Sequence, residues 1–161
     1  MMYNKREANK PSTAHGGMMM IREAEAKDAA AIERLYRLLL PDDKRIHVLG
    51  QRLEEIRREP YHYCFVYEDE GRVAGTVLLH LCLDPMYGKR PFALIENVVV
   101  DPDIRGKGVG NRLFAHVEQC CRERDCTEIL LLSSAYRTEA HRFFERQGFR
   151  GTERKGFVKR L

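Results

Sequence analysis

No run of apolar residues in this 161-residue chain approaches the roughly 18 needed to cross a bilayer, so no membrane-spanning helix is expected. The five cysteines include no Cys-x-x-Cys pair, and no histidine stands at a spacing that would complete a zinc site. An odd number of thiols, three of them at Cys120, Cys121 and Cys126, reads as reduced cysteine in a cytoplasmic protein rather than as a disulfide framework. No stretch concentrates lysine and arginine without interleaved acids, so the net charge of +4 argues for neither a nucleic-acid nor a membrane partner. Residues 1–17 lack the apolar core of a secretory signal and read as a flexible leader, with the folded domain over 18–161. There is no internal repeat.

What the chain does contain is 43% hydrophobic and 32% charged residues, the balance of one globular domain. A chain of this length buries roughly 70% of its unfolded surface and needs no metal to fold. Strands are expected at 18–24, 63–67, 73–83, 92–100 and 129–132, where β-rich or alternating apolar residues lie between turn signals. Helices are expected at about 29–40, capped by Asp28, and at 48–58, about 110–125 and 138–147, the last closed by Gly148. Short strands at 149–150 and 156–159 would form a terminal hairpin. The fold class is α/β: a mixed, mostly antiparallel sheet of six to seven strands flanked by about four helices.

Between the strand at 92–100 and the following helix lies Arg105-Gly-Lys-Gly-Val-Gly110. Alternate glycines let backbone approach a ligand closely, and the amides of a helix's first turn attract phosphate. Arg105 and Lys107 add positive charge. A P-loop would need Ser or Thr after Lys107, where Gly108 stands, and a dinucleotide fingerprint would need its third glycine at Asn111. Both spacings fail.

The string from Arg105 to Gly110 resembles the pyrophosphate motif Arg/Gln-x-x-Gly-x-Gly/Ala of the GNAT N-acetyltransferase family. The segment Ala140-His-Arg-Phe-Phe-Glu-Arg-Gln-Gly-Phe149 is similar to that family's second motif, Ala-x-x-Phe-Tyr-x-x-x-Gly-Phe. The two lie at the family's usual separation, and the element order agrees from about residue 18 to the end. Ala93–Asp101 and Gly156–Leu161 look most like the small-amine members, such as aminoalkylphosphonate and glucosamine-6-phosphate acetyltransferases. The resemblance implies acetyl-CoA as co-substrate, no metal, and a small-molecule amine as acceptor. It places the pyrophosphate on Arg105, Gly106, Lys107, Gly108, Val109 and Gly110, and the pantetheine arm along Val98, Val99 and Val100. A backbone N–H of that stretch would polarise the thioester carbonyl. Arg137 stands where many relatives touch CoA. A homodimer is left open.

Amine acetylation needs a neutral nucleophile, whereas an alkyl ammonium has a pKa of about 10, so a base is required. Glu96, a carboxylate in an otherwise apolar strand, is the leading candidate; His80, His116 and His141 are weaker ones, and Asn97 can only orient. The family's frequent acid is the tyrosine of the Phe-Tyr pair, and this sequence carries Phe144 there. Because a thiol has a pKa of about 8.5, releasing the thiolate unprotonated at pH 7 costs only about 2 kcal/mol. Tyr136 is an alternative acid. Lys89 and Arg90 form a candidate anion clamp. The competing functions are a non-catalytic CoA-binding sensor, which Phe144 favours, and a protein-lysine or N-terminal acetyltransferase.

Overall fold

A computed structural model describes residues 19–161. The leader expected over 1–17 lies outside the described residues. The described chain divides into two units, one ending at Leu130 and one comprising Leu131–Leu161.

The first unit is built on a sheet whose spatial order follows the sequence: β1 (Met19–Glu23), β2 (His62–Asp69), β3 (Arg72–Cys82), β4 (Phe92–Val100) and β5 (Ile129–Leu131), which ends at the border with the second unit. The first four pair antiparallel as successive neighbours. Beside β4, the Thr127 amide donates to Pro91 O and the Ala93 amide to Glu128 O, so β5 enters next to the start of β4 and runs in its direction. Helices α1 (Ala29–Leu39) and α2 (Gly50–Arg58) precede β2, and α3 (Val109–Glu123) links β4 to β5.

Register sorts the side chains onto two faces. Pairing of Phe65 with Val77 and of Leu79 with Ile95 puts these residues on one face. The edge-to-face contact of Phe65 with His116, at 4.6 Å between centroids, shows that α3 covers it. There α3 presents Leu113, Val117, Cys120 and Cys121, all buried, as its apolar spacing requires. On the opposite face Cys64, Val66, Leu78 and Val99 pack with Ile32, Leu35 and Tyr36 of α1 and Leu53 of α2.

Asp28 does not cap α1 through its side chain as expected. Its carboxylate instead takes two bonds from the Arg22 guanidinium (2.7 and 2.9 Å) and one from the Glu25 amide (2.8 Å), closing the 3-10 turn Ala26–Asp28. Buried and bidentate, it ties β1 to the turn that leads into α1.

In the second unit α4 (Thr138–Arg146) is closed by Gln147 and then Gly148, whose φ of +89° suits glycine. Phe144 is buried and meets Phe143 and Phe149 edge-to-face. The terminal hairpin expected at 149–150 and 156–159 does not form: no strand follows β5 among the described residues, so the sheet has five strands rather than six or seven. Phe157 and Val158 are apolar yet 85% and 76% exposed. Two residues opposite four, without a covering layer, cannot hold a hairpin.

Candidate active site

The β3–β4 register slips between Thr76 and Leu78: Thr76 faces Val99 and Leu78 faces Glu96, so Asn97 and Val98 together oppose Val77. Asn97 has φ +52°, in the left-handed region that asparagine tolerates better than most residues. The result is a β-bulge, which bends the strand and re-aims the groups after it. It keeps Glu96 and Val99 on the α1 face. Glu96 is half-buried there, beside Leu78. β5 is three residues long against nine in β4, so its ladder ends well before Val100. A strand edge is thereby left along the end of β4 that carries Val98, Val99 and Val100.

Beyond Val100 the chain is anchored by Asp101, 2% exposed. Its carboxylate accepts from Arg34 (2.7 Å), Arg72 (2.6 Å) and the Asp103 amide (3.1 Å). Burial pushes this carboxyl's pKa up, but the Asp103 amide and the two guanidiniums outweigh burial and hold it below its ordinary value. This fixed base carries the glycine loop. Gly106 and Gly108 have φ of +81° and +76°, and a Cβ on either would meet nothing within 4 Å, so the loop is open on its outer side. Gly108 is the N-cap of α3, so Val109 and Gly110 begin a 15-residue helix whose first-turn amides face out of its end. Arg105 and Lys107 are exposed, and the Arg105 Nε reaches back to Val100 O at 3.3 Å. An open left-handed loop, a long helix's N-terminus and two exposed cations fit a diphosphate.

The sequence's other candidates fall in several places. His116 lies on the α3 face against Phe65, and burial lowers its pKa; it is a packing residue on the side away from Glu96. His80 shares the face of Glu96 but pairs with His62, Nδ1 to Nδ1 at 2.7 Å, and burial and then His62 lower its pKa. Arg90 Nε is bonded to Asp125 (3.1 Å), so one donor of the clamp read at Lys89 and Arg90 is taken by a carboxylate. Tyr136, 76% exposed, and Arg137, the N-cap of α4, belong to the second unit, as does His141, bonded to Ser134 O at 3.0 Å. Phe144 is a core residue of that unit and carries no acidic proton. Two polar residues of the α1 face went unnoticed in the sequence. Tyr36 looks like any helix aromatic, and His62 meets His80 only once the hairpin register is known.

The sequence model described as the acetyltransferase (GNAT) family matches residues 27–149. The chain belongs to that family. It is 34% identical over 91 residues to glucosamine 6-phosphate N-acetyltransferase of Trypanosoma brucei brucei, covering 56% of this chain and 60% of that enzyme. It is 27% identical over 126 residues to thialysine N-epsilon-acetyltransferase of Bos taurus, covering 70% and 73%. The chain thus spans about three fifths of the trypanosomal relative's length. The structure of glucosamine-6-phosphate N-acetyltransferase from Arabidopsis thaliana superposes with a TM-score of 0.72 at 25% identity, over 88% of this chain and 97% of that one. Fold and family agree with the expectation from the two motifs.

Proposed function

We propose that this protein transfers the acetyl group of acetyl-CoA to a primary amine of a small molecule by direct attack. The observation that carries the proposal is the continuity of β4 with the loop beyond it: Glu96, the bulge, the Val98–Val100 edge, the caged Asp101 and the open Gly106–Gly108 loop lie on one uninterrupted segment. Acetyl-CoA, when bound, supplies an activated acyl group. The residues present then have separable roles. The amides entering α3 hold diphosphate, with Arg105 and Lys107 adding screened attraction. A backbone N–H of Val98–Val100, rigid in its strand, donates to the carbonyl oxygen as charge develops. Glu96 takes the amine's proton directly or through one water.

Arg137 as a CoA contact and Tyr136 as the proton donor to the departing thiolate complete the reading. Tyr136 is supported by its exposure and by the lack of an acidic proton on Phe144. The five free cysteines, three of them buried, support a cytoplasmic setting. No helix among the described residues is long and apolar enough to cross a membrane.

Thiol release from acetyl-CoA across an amine panel tests the proposal. Glucosamine 6-phosphate and thialysine head the panel because relatives are named for them; aminophosphonates, polyamines and a basic peptide complete it. Turnover with a small amine is the expected result. Turnover on the peptide alone would convert the reading to a protein acetyltransferase. Binding of acetyl-CoA without thiol release from any amine would convert it to a sensor, the alternative that the buried Phe144 favours.

A further inference from the structure

Four consecutive residues at the start of β3 build the root of the glycine loop. Arg72 Nη2 donates to Asp101 Oδ2 at 2.6 Å, and the Val73 carbonyl accepts from Arg34 Nη2 at 3.2 Å. The Ala74 carbonyl accepts from the Asp101 amide at 2.8 Å. Gly75 lies against α3, where an added Cβ would stand 3.2 Å from Leu113 Cδ1 and 3.4 Å from Val109 Cγ1. Both ends of segment 101–109 are thus pinned to one stretch of strand, Asp101 by polar bonds and Val109 by close packing. Between them the 3-10 turn Pro102–Ile104 and the buried Ile104 shape the chain, and the left-handed glycines follow.

Arg34 brings α1 into this root. Its Nη1 donates at 2.7 Å to the same Asp101 Oδ2 that Arg72 reaches, while Asp101 Oδ1 accepts from the Asp103 amide at 3.1 Å. Both carboxylate oxygens are therefore held, and the group cannot turn. The Asp101 side chain is 3% exposed, whereas those of Arg34 and Arg72 are 42% and 55% exposed, so two cations reach in from the surface to one buried anion. A buried carboxylate is stable only while it stays paired, and loss of a partner leaves a charge that the chain relieves by moving. Asp101 O also accepts from the Ile104 amide at 3.1 Å, so a shift of Asp101 carries the turn into the loop with it. A loop already in place binds its ligand without the entropic cost of being ordered.

We propose that Arg34 and Arg72 are positioning residues for acetyl-CoA: by holding the Asp101 carboxylate they fix the root of the glycine loop before the diphosphate arrives. This rests on the reading of that loop as the diphosphate site. Neither guanidinium touches the co-substrate in this account; each acts through Asp101. Arg34 also makes α1, the helix packed over the face of Glu96, part of the same brace. It gives Asp101 a single N–H, so a lysine ammonium can replace that bond, whereas methionine keeps the apolar stem and loses it.

The test pairs calorimetry of acetyl-CoA binding with amide hydrogen exchange on the free protein, and needs no acceptor amine. Arg34→Met should raise the Kd for acetyl-CoA about tenfold, the worth of one charge-assisted hydrogen bond. In the same variant the amides of residues 105–108 should exchange faster than in the wild type, while those in the middle of α3 keep their protection. Arg34→Lys should recover most of both losses. An Arg34→Met protein with wild-type Kd and wild-type loop exchange overturns the proposal alone, whatever happens to its urea midpoint, and leaves the arginine merely structural. An Arg34→Lys protein as impaired as Arg34→Met overturns it as well, because the bond to Asp101 would then not be what matters. A wild type that does not bind acetyl-CoA removes the diphosphate reading and the proposal with it. Should Arg34→Met fail to fold, Arg72→Met decides by the same two readouts: wild-type values there overturn the proposal equally.

Discussion

The two faces of the sheet are made of different material. Under α3 lie Phe65, Val77, Leu79 and Ile95 with Leu113 and Val117, all nearly inaccessible, and burial lowers the pKa of the histidine among them. Under α1 the same strands carry Glu96, the His62–His80 pair and the Thr76 hydroxyl that donates to Phe65 O. Strand alternation makes this division possible, since successive residues of β3 serve opposite faces. Both sides supply packing energy, and the α1 side also holds the candidate chemistry. Changes under α3 should therefore act on stability, and changes at Glu96 or in the glycine loop on reaction and binding.

Five substitutions sharpen or break that contrast. The largest effect is expected from Glu96→Gln, which should lower kcat/KM by about 10²–10⁴ near neutrality, the usual scale of general base catalysis. Its urea midpoint should stay near the wild-type value, and a large drop in that midpoint would make Glu96 a structural residue instead. Leu113→Ala removes a side chain that is 0% exposed and should destabilise by about 2–5 kcal/mol, read from urea unfolding. Protein still folded should keep its affinity for acetyl-CoA.

The glycine loop should show a smaller but diagnostic split. Gly110→Glu places a bulky anion in the first turn of α3, where a diphosphate would sit, and should abolish acetyl-CoA binding in calorimetry. Lys107→Ala removes an exposed charge and should cost only about 0.2–1 kcal/mol. Equal losses from the two would contradict a backbone cradle.

The smallest effect concerns pH. Burial lowers the His116 pKa, so the unfolded chain takes up that proton more readily than the folded one. The contribution of neutral His116 is complete above about pH 6.5 and is lost as pH falls through the lower, folded value. His116→Leu should flatten the decline of unfolding free energy between pH 7 and 5, while Asp101, whose folded pKa is also depressed, keeps its contribution until pH drops below about 4.

Much of this could be read in the sequence because it depends on local pattern. β4 occupies Phe92–Val100 as expected, since an apolar run between Pro91 and Asp101-Pro102 has few alternatives. The glycine loop was legible because left-handed positions select glycine. The terminal hairpin was misread for the opposite reason: alternation over two to four residues says nothing unless a neighbouring layer covers it. The bulge was invisible because Asn97 in an apolar strand reads as a polar interruption rather than as a turned residue. His62 was missed because its partner, His80, is distant in sequence and meets it only through hairpin register.

The central claim is that the α1 face performs proton removal at Glu96. Its most direct test is the pH–rate profile of Glu96→Gln against the wild type, using the best amine from the panel. The account predicts that the variant's deficit in kcat/KM is largest near neutrality and shrinks as pH nears the amine's own pKa of about 10, where substrate arrives already neutral. A variant whose profile overlays the wild type at every pH would contradict it and remove Glu96 from the mechanism.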